Sequence, residues 1–109
     1  MASIREMRPE DAEETSKVLR EAMLDSWERF ERDYYPKQAL EFDLAHNSPE
    51  YLRERLANPL NFTFIAEEEG IIVGIAFGHI VGTSGLARLG WIGVHPSYQR
   101  RGIGKALLQ

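Results

Sequence analysis

The sequence predicts an α/β fold of the α+β kind, in which helices come first and an antiparallel sheet follows. Between about residues 11 and 31, apolar side chains recur at steps of three and four, which is typical of an amphipathic helix. From residue 61 to residue 94, three β-prone runs are separated by turn sequences, which favours an antiparallel meander. Since neither repeats nor linkers interrupt this order, it indicates one mixed domain.

The N-terminal elements follow from local signals. Residues 3–8 alternate in polarity like a short strand, which Pro9 closes. A second helical piece is expected over residues 38–45. Ser48 directly before Pro49 is a favourable helix start, so a short third helix is expected to begin there.

Three strands are expected in the second part, over residues 61–67, 71–81 and 86–94. Glu69 and Gly70 can form the tight turn between the first two, with the glycine at positive φ. Two glycines interrupt each of the later runs, which suggests a bulge or a close approach of another backbone.

The net charge of −4 hides a division of the chain. Residues 1–70 carry all seventeen acidic side chains and nine basic ones, whereas residues 71–109 carry four basic side chains and no acid. Broad nucleic-acid binding requires a basic face and is therefore not expected. Without cysteine or an apolar run of about 18 residues, the sequence predicts no metal site, no membrane contact and a cytoplasmic location.

Residues 94–108 read VHPSYQRRGIGKALL and lie between a predicted strand and a predicted helix start. Main-chain N–H groups at such a junction can bind phosphate oxygens, and glycine lets the ligand approach the backbone. A Walker A loop would need glycine in place of Gln99 and a hydroxyl residue in place of Ala106. A dinucleotide-binding loop would need glycine in place of Leu107, so both of these phosphate loops are excluded.

The loop instead resembles the acetyl-CoA-binding motif of the GNAT superfamily of N-acetyltransferases. Val94-His95-Pro96 is followed by glutamine and then by the Gly-x-Gly of residues 102–104, and the upstream elements match the first half of that fold. The resemblance implies acetyl-CoA as donor and a primary amine, in a small molecule or a peptide, as acceptor. The cofactor-binding residues that it implies are Ile92, Gly93, Val94, Gln99, Arg100, Arg101, Gly102, Ile103, Gly104 and Lys105.

By the same resemblance, the backbone of residues 100–105 would contact the pyrophosphate and residues 92–94 would pair with the pantetheine arm. No catalytic residue is predicted, because the glutamate that many members place on the strand before the loop is missing from residues 89–93. A general base must then come from the first 70 residues, from water or from further sequence, with His79 and His95 as nominal candidates. A non-catalytic acyl-CoA-binding or regulatory module is the alternative, and a fragment without a ligand is a third reading.

Only a few residues follow Gly102, whereas the family continues with further strands and helices. We therefore expect residues 1–109 to form a single, truncated acetyltransferase domain, whose last helix has little apolar surface to pack on. An edge strand at residues 86–94 would be exposed, which favours homodimerisation.

An acidic and aromatic cluster lies around the end of the first helix. Its members are Asp25, Trp27, Glu28, Phe30, Glu31, Asp33, Tyr34 and Tyr35. The resemblance places this region beside the acceptor site, where it could attract a cationic amine. The other interpretation is a solvated helix face with Trp27 and Phe30 in the core.

Overall fold

The computed structural model describes residues 2–81, 86–99 and 101–108. Four helices and four strands occur in these ranges, together with 3-10 turns at Pro9–Asp11 and Pro96–Tyr98 and a π-helical turn at Trp27–Glu31. In chain order the elements are β1 (Ser3–Glu6), α1 (Ala12–Ser26), α2 (Lys37–His46), α3 (Pro49–Arg55), β2 (Asn61–Glu68), β3 (Ile71–Val81), β4 (Leu86–Val94) and α4 (Ile103–Leu107). The predicted α/β (α+β) class is confirmed.

The strands form one antiparallel sheet in the order β1-β2-β3-β4. The expected meander of three strands is present, and β1 extends it by pairing with β2, with Ile4 opposite Ala66. Glu69 and Gly70 make the turn between β2 and β3, both at positive φ. The two central strands are hydrogen-bonded on both sides, while β4 pairs on one side only with β3 among the described residues.

One face of the sheet is covered by α1 and α3. Leu19 of α1, Leu52 of α3 and Ile75 of β3 are fully buried there, and Ile65 of β2 joins them. Full burial of a leucine side chain is worth about 2–3 kcal/mol, so this layer supplies most of the apolar stabilisation. The amphipathic helix predicted from the three- and four-residue spacing is α1.

The opposite face is covered by α4. Ile103 and Leu107 are buried against Val73 and Ala76 of the sheet. The expectation that this last helix has little surface to pack on is therefore wrong. Strand β3 is apolar on both faces, which gives the short helix a core of its own.

The helical periodicity of residues 11–31 hides a change of geometry. Helix α1 ends at Ser26, and residues 27–31 form a π-helical turn. The Trp27 indole N–H then donates to the Tyr35 carbonyl at 2.8 Å, which ties this turn to the segment before α2. A π turn inserts an extra residue into the helix and often lies at a functional site.

A bulge lies where β4 passes the middle of β3. Phe77 is opposite Trp91 while Gly78 is opposite Leu89, so Gly90 is the extra residue of β4. A Cβ atom on Gly78 would lie 2.1 Å from the Arg88 carbonyl oxygen. Only glycine, which has no Cβ, avoids this overlap. Glycine inside these strands therefore marks both a bulge and a close backbone approach, as predicted, and the bulge bends β4 before residues 91–94.

Arg5 connects the first strand to the segment before α1 and to β2. Its guanidinium donates two hydrogen bonds to the Asp11 carboxylate, at 2.7 and 3.0 Å, and two longer ones to Glu67. The hydrogen bonds from Arg5 lower the pKa of Asp11, and they lower that of Glu67 as well. Both carboxylates therefore stabilise the folded chain when they are ionised.

Replacing Asp11 by asparagine should lower stability near neutral pH by about 1 kcal/mol, a value reduced by solvent screening. Because folding depresses the pKa of Asp11, its contribution is complete above its ordinary pKa of 3.8 and is lost as the pH falls through the folded value. Urea unfolding at several pH values should thus show a shallower acid decline for Asp11→Asn than for the native chain. Glu13→Gln, at a side chain that is 81% exposed, should leave the profile unchanged, and equal profiles for all three proteins would contradict the assignment.

Gly78→Ala should destabilise the fold by about 2 kcal/mol, because the new methyl group would overlap the Arg88 carbonyl and push β4 away from β3. Urea unfolding measures the loss. Leu24→Ala is the control, since Leu24 is 40% exposed on α1 and its truncation should cost under about 0.5 kcal/mol. A Gly78→Ala variant as stable as the native chain would show that the two strands are not this close.

Candidate functional site

The outer edge of β4 offers two main-chain N–H groups, those of Ile92 and Val94, that do not face β3. His95 N–H donates to the Val73 carbonyl at 2.8 Å, which fixes which residues of the strand face β3. Because inward and outward residues alternate in an antiparallel pair, Trp91 and Gly93 bond to β3, whereas the N–H groups of Ile92 and Val94 point away from it. The side chains of Ile92 and Val94 pack in the layer beneath α4.

The first part of the loop after β4 is fixed by two of its own side chains, His95 and Gln99. His95 Nδ1 accepts a hydrogen bond from the Ser97 N–H at 3.1 Å, which starts the Pro96–Tyr98 turn. Gln99 Nε2 donates to the Val94 carbonyl at 3.2 Å and so closes the loop back onto the end of β4. Of the predicted residues, Ile92, Val94 and Gln99 therefore form one continuous edge.

The glycine part of the loop is open. Gly102 has φ 77°, in the left-handed region, and a Cβ on it would meet no atom of the described residues within 4 Å. A Cβ on Gly104 would touch only the Val94 side chain, at 4.0 Å. Both glycines thus leave the backbone accessible at the start of α4.

The remaining predicted residues differ in their surroundings. Arg101 is exposed, lies 5.1 Å from the Tyr98 ring centre and reaches Glu68 at 3.4 Å. Lys105 is exposed on α4, whereas the Ile103 side chain is buried, so that only its main chain can face a ligand. Arg100, which was also predicted, lies outside the described residues.

Two small cavities lie between α1 and β4, and the described lining of both includes Trp91. The first, of about 170 Å³, is lined by Ala22, Asp25, Ser26, Phe30, Trp91, Ile92, Gly93, Val94 and Gln99. The second, of about 230 Å³, is lined by Met23, Glu31, Tyr35, Leu40, Asp43 and Trp91. The first cavity contains the edge residues Ile92, Val94 and Gln99, and the second is its neighbour through Trp91.

The second cavity has a negative electrostatic character. Tyr35 donates its hydroxyl to Asp43 at 2.6 Å, and Ser26 donates to Glu31 at 2.9 Å. The pKa of Tyr35 is raised, first by the hydrogen bond to Asp43, because phenolate would be repelled by the carboxylates around it. No lysine, arginine or histidine is among the described residues that line this cavity.

The acidic and aromatic cluster predicted from the sequence is split by the fold. Glu31 and Tyr35 line the second cavity, while Glu28 and Tyr34 are exposed. Phe30 is 66% exposed and not a core residue, although it borders the first cavity. Sequence reasoning missed Asp43 and Trp91, which belong to α2 and β4 and reach the cavity only through tertiary packing.

The histidines and the charged residues suggest no other centre. His79 lies on β3 opposite Arg88, far along the strand from the loop, and His95 contacts Glu21. Within the described ranges, no three His, Asp or Glu side chains are arranged to hold a metal ion. Among those residues there is also no helix long and apolar enough to cross a membrane.

Comparison with solved structures shows the same fold in several acetyltransferases. The PaiA N-acetyltransferase of Thermoplasma acidophilum, solved with coenzyme A, is 23% identical and superposes with a TM-score of 0.83 over 99% of this chain and 67% of that one. A GNAT family acetyltransferase of Brucella melitensis in complex with acetyl-CoA is 28% identical, with a TM-score of 0.63 over 99% of this chain and 64% of that one. A GCN5-related N-acetyltransferase of Rhodopseudomonas palustris is 26% identical and superposes with a TM-score of 0.71, over 99% of this chain and 61% of that one.

This chain thus spans about two thirds of the length of these similar structures. A search of curated proteins found none that matches it. The model of the acetyltransferase (GNAT) family matches residues 17–109, which include α1 from Lys17 onward, the sheet from β2 to β4 and the glycine loop. The resemblance inferred from the loop is confirmed, and the chain belongs to the GNAT family of acetyltransferases.

Proposed function

We propose that this chain is an N-acetyltransferase domain that transfers the acetyl group of acetyl-CoA to a primary amine. Its membership of the GNAT family supports the reaction class. The presence of acetyl-CoA in the similar Brucella melitensis structure supports the donor. Because the chain spans only about two thirds of such proteins, its own activity is part of the proposal.

The observation that carries the proposal is the open edge of β4 leading directly into the glycine loop. The N–H groups of Ile92 and Val94 face away from β3, so the amides of a pantetheine arm can pair with this edge as an added strand would. Gly102 and Gly104 leave the backbone beyond it accessible. The pyrophosphate would lie there, near Arg101 and Lys105, with Arg100 as a further predicted contact.

In this arrangement, the bound ammonium group first loses a proton to water. The resulting amine nitrogen attacks the thioester carbonyl carbon, whose C–O double bond opens to an oxyanion. An outward N–H of β4 donates to that oxyanion, in a position fixed by the strand before the substrate arrives. The intermediate then collapses, the C–S bond breaks and the coenzyme A thiolate takes up a proton, while the new amide nitrogen has lost one. Placing amine and thioester side by side supplies much of the rate.

We assign the acceptor to the second cavity, the one lined by Glu31, Asp43 and Trp91. Glu31 and Asp43 give it negative potential, and none of its described lining residues is basic. Such a cavity suits the ammonium form of an amine. Trp91 connects this cavity to the strand edge proposed for the thioester. A cationic primary amine is therefore the acceptor class that the cavity fits best.

Coenzyme A should raise the melting temperature of the native chain, and Gly104→Ala should weaken that binding by roughly tenfold or more. The added methyl would occupy the path of the phosphates but meets only Val94 at 4.0 Å in the free protein, so the unliganded fold should be as stable as before. Thermal shift with increasing coenzyme A measures both quantities.

Leu108→Ala is the control for this measurement, because Leu108 is exposed and lies outside the loop. An unchanged coenzyme A affinity in Gly104→Ala would contradict the placement of the phosphates. No shift in the folded native chain would exclude acetyl-CoA as its ligand.

Glu31→Gln should raise the KM for cationic amines by roughly tenfold, because it removes one charge from the acceptor cavity. Release of free coenzyme A thiol with a panel of amines measures it. Glu28→Gln is the matched control, since Glu28 lies in the same π-helical turn but is exposed and does not line the cavity. Equal KM values for the two variants would rule out the cavity as the acceptor site.

A further inference from the structure

One side of the first helix contacts the loop between β4 and α4 at two residues, His95 and Gln99. Glu21 and Asp25 of α1 and Arg29 of the π-helical turn follow one another at intervals of four residues. Glu21 Oε2 lies 2.5 Å from His95 Nε2, at the start of the loop. Asp25 and Arg29 lie 3.4 and 3.2 Å from Gln99, in the middle of the loop.

The contact with Glu21 decides which nitrogen of His95 carries the proton. A neutral imidazole has one N–H donor and one acceptor nitrogen. Since a carboxylate only accepts, Glu21 selects the form with the proton on Nε2. Nδ1 is then free to accept from the Ser97 N–H, the bond that begins the Pro96–Tyr98 turn.

The contacts with Asp25 and Arg29 decide the orientation of the Gln99 amide in the same way. The Arg29 guanidinium only donates and faces Oε1, whereas the Asp25 carboxylate only accepts and faces Nε2. With this orientation Nε2 also donates to the Val94 carbonyl, at 3.2 Å. The reversed amide would set two oxygen atoms against each other and open the loop.

We propose that Glu21, Asp25 and Arg29 are positioning residues for the acetyl-CoA site, acting through His95 and Gln99. Each of these two side chains can bond in two ways, and the charges on the helix select the way that closes the loop on β4. The loop then has its binding geometry before the ligand arrives, which reduces the ordering cost of binding. The inference rests on the function proposed above, and none of the three residues lies in the glycine loop.

The test compares variants that lose the hydrogen bond with variants that keep it. Glu21→Leu, Asp25→Leu and Arg29→Met remove the acceptor or donor, whereas Glu21→Gln, Asp25→Asn and Arg29→Lys retain one. Two quantities are measured on the full chain: the Kd of coenzyme A by calorimetry and the hydrogen exchange of the main-chain amides of residues 97–99 and 101–104. Arg20→Leu, at an exposed position of α1, is the control.

The apolar variants should bind coenzyme A roughly three- to tenfold more weakly, and their loop amides should exchange at least about threefold faster. The conservative variants and Arg20→Leu should remain within about twofold of the native chain in both quantities. Native-like binding and exchange in the conservative variants would show that the hydrogen bonds matter. If these side chains only filled space, the apolar and the conservative variants would behave alike.

Three results would overturn the proposal: native Kd and exchange in the apolar variants, equal losses in both sets, or a lower melting temperature with unchanged loop exchange. If the native chain does not bind coenzyme A at all, the proposed function fails instead. The exchange comparison would still decide whether the helix positions the loop, so the two failures can be told apart.

Discussion

The pairing of β4 with β3 is the constraint on which the rest of the structure depends. Strand β3 is apolar on both faces. One face packs against α1 and α3, and the other packs against α4. The bulge at Gly90, made possible by the close approach at Gly78, then determines which groups of residues 91–94 face outward. A shift of one residue would turn the N–H groups of Ile92 and Val94 inward and remove the open edge.

The acidic character of the first part and the basic character of the second also have a structural meaning. Most acidic side chains belong to the helical layer, and three of its charged residues meet the loop through His95 and Gln99. The carboxylates of Glu31 and Asp43 line the second cavity, which Trp91 also lines. The layer that packs the sheet therefore also provides the polar surroundings of the proposed donor and acceptor sites.

Helix α1 connects these two sites through one continuous element. Its end changes into a π-helical turn, in which Arg29 contacts the loop while Glu31 lines the acceptor cavity. A displacement of that turn would alter both contacts at once. The proposed donor and acceptor sites therefore share one supporting element.

Local signals made much of this predictable. The spacing of Val18, Leu19, Ala22 and Met23 gave α1, and Glu69-Gly70 marked the turn between β2 and β3. The letters of residues 94–104 pointed to the family, because loop chemistry depends on residues that are close in sequence. The predicted cofactor-binding role of those residues remains a prediction.

By itself, the sequence determined the order of elements, the strands and the identity of the glycine loop, since propensity, periodicity and turn residues act over a few positions. Only the tertiary structure decided that the short α4 has a core to pack on, that Asp43 and Trp91 join Glu31 around one cavity, and that Glu21, Asp25 and Arg29 meet the loop. Those contacts join residues from 12 to 74 positions apart, and no local pattern encodes which distant side chains a packed sheet brings together.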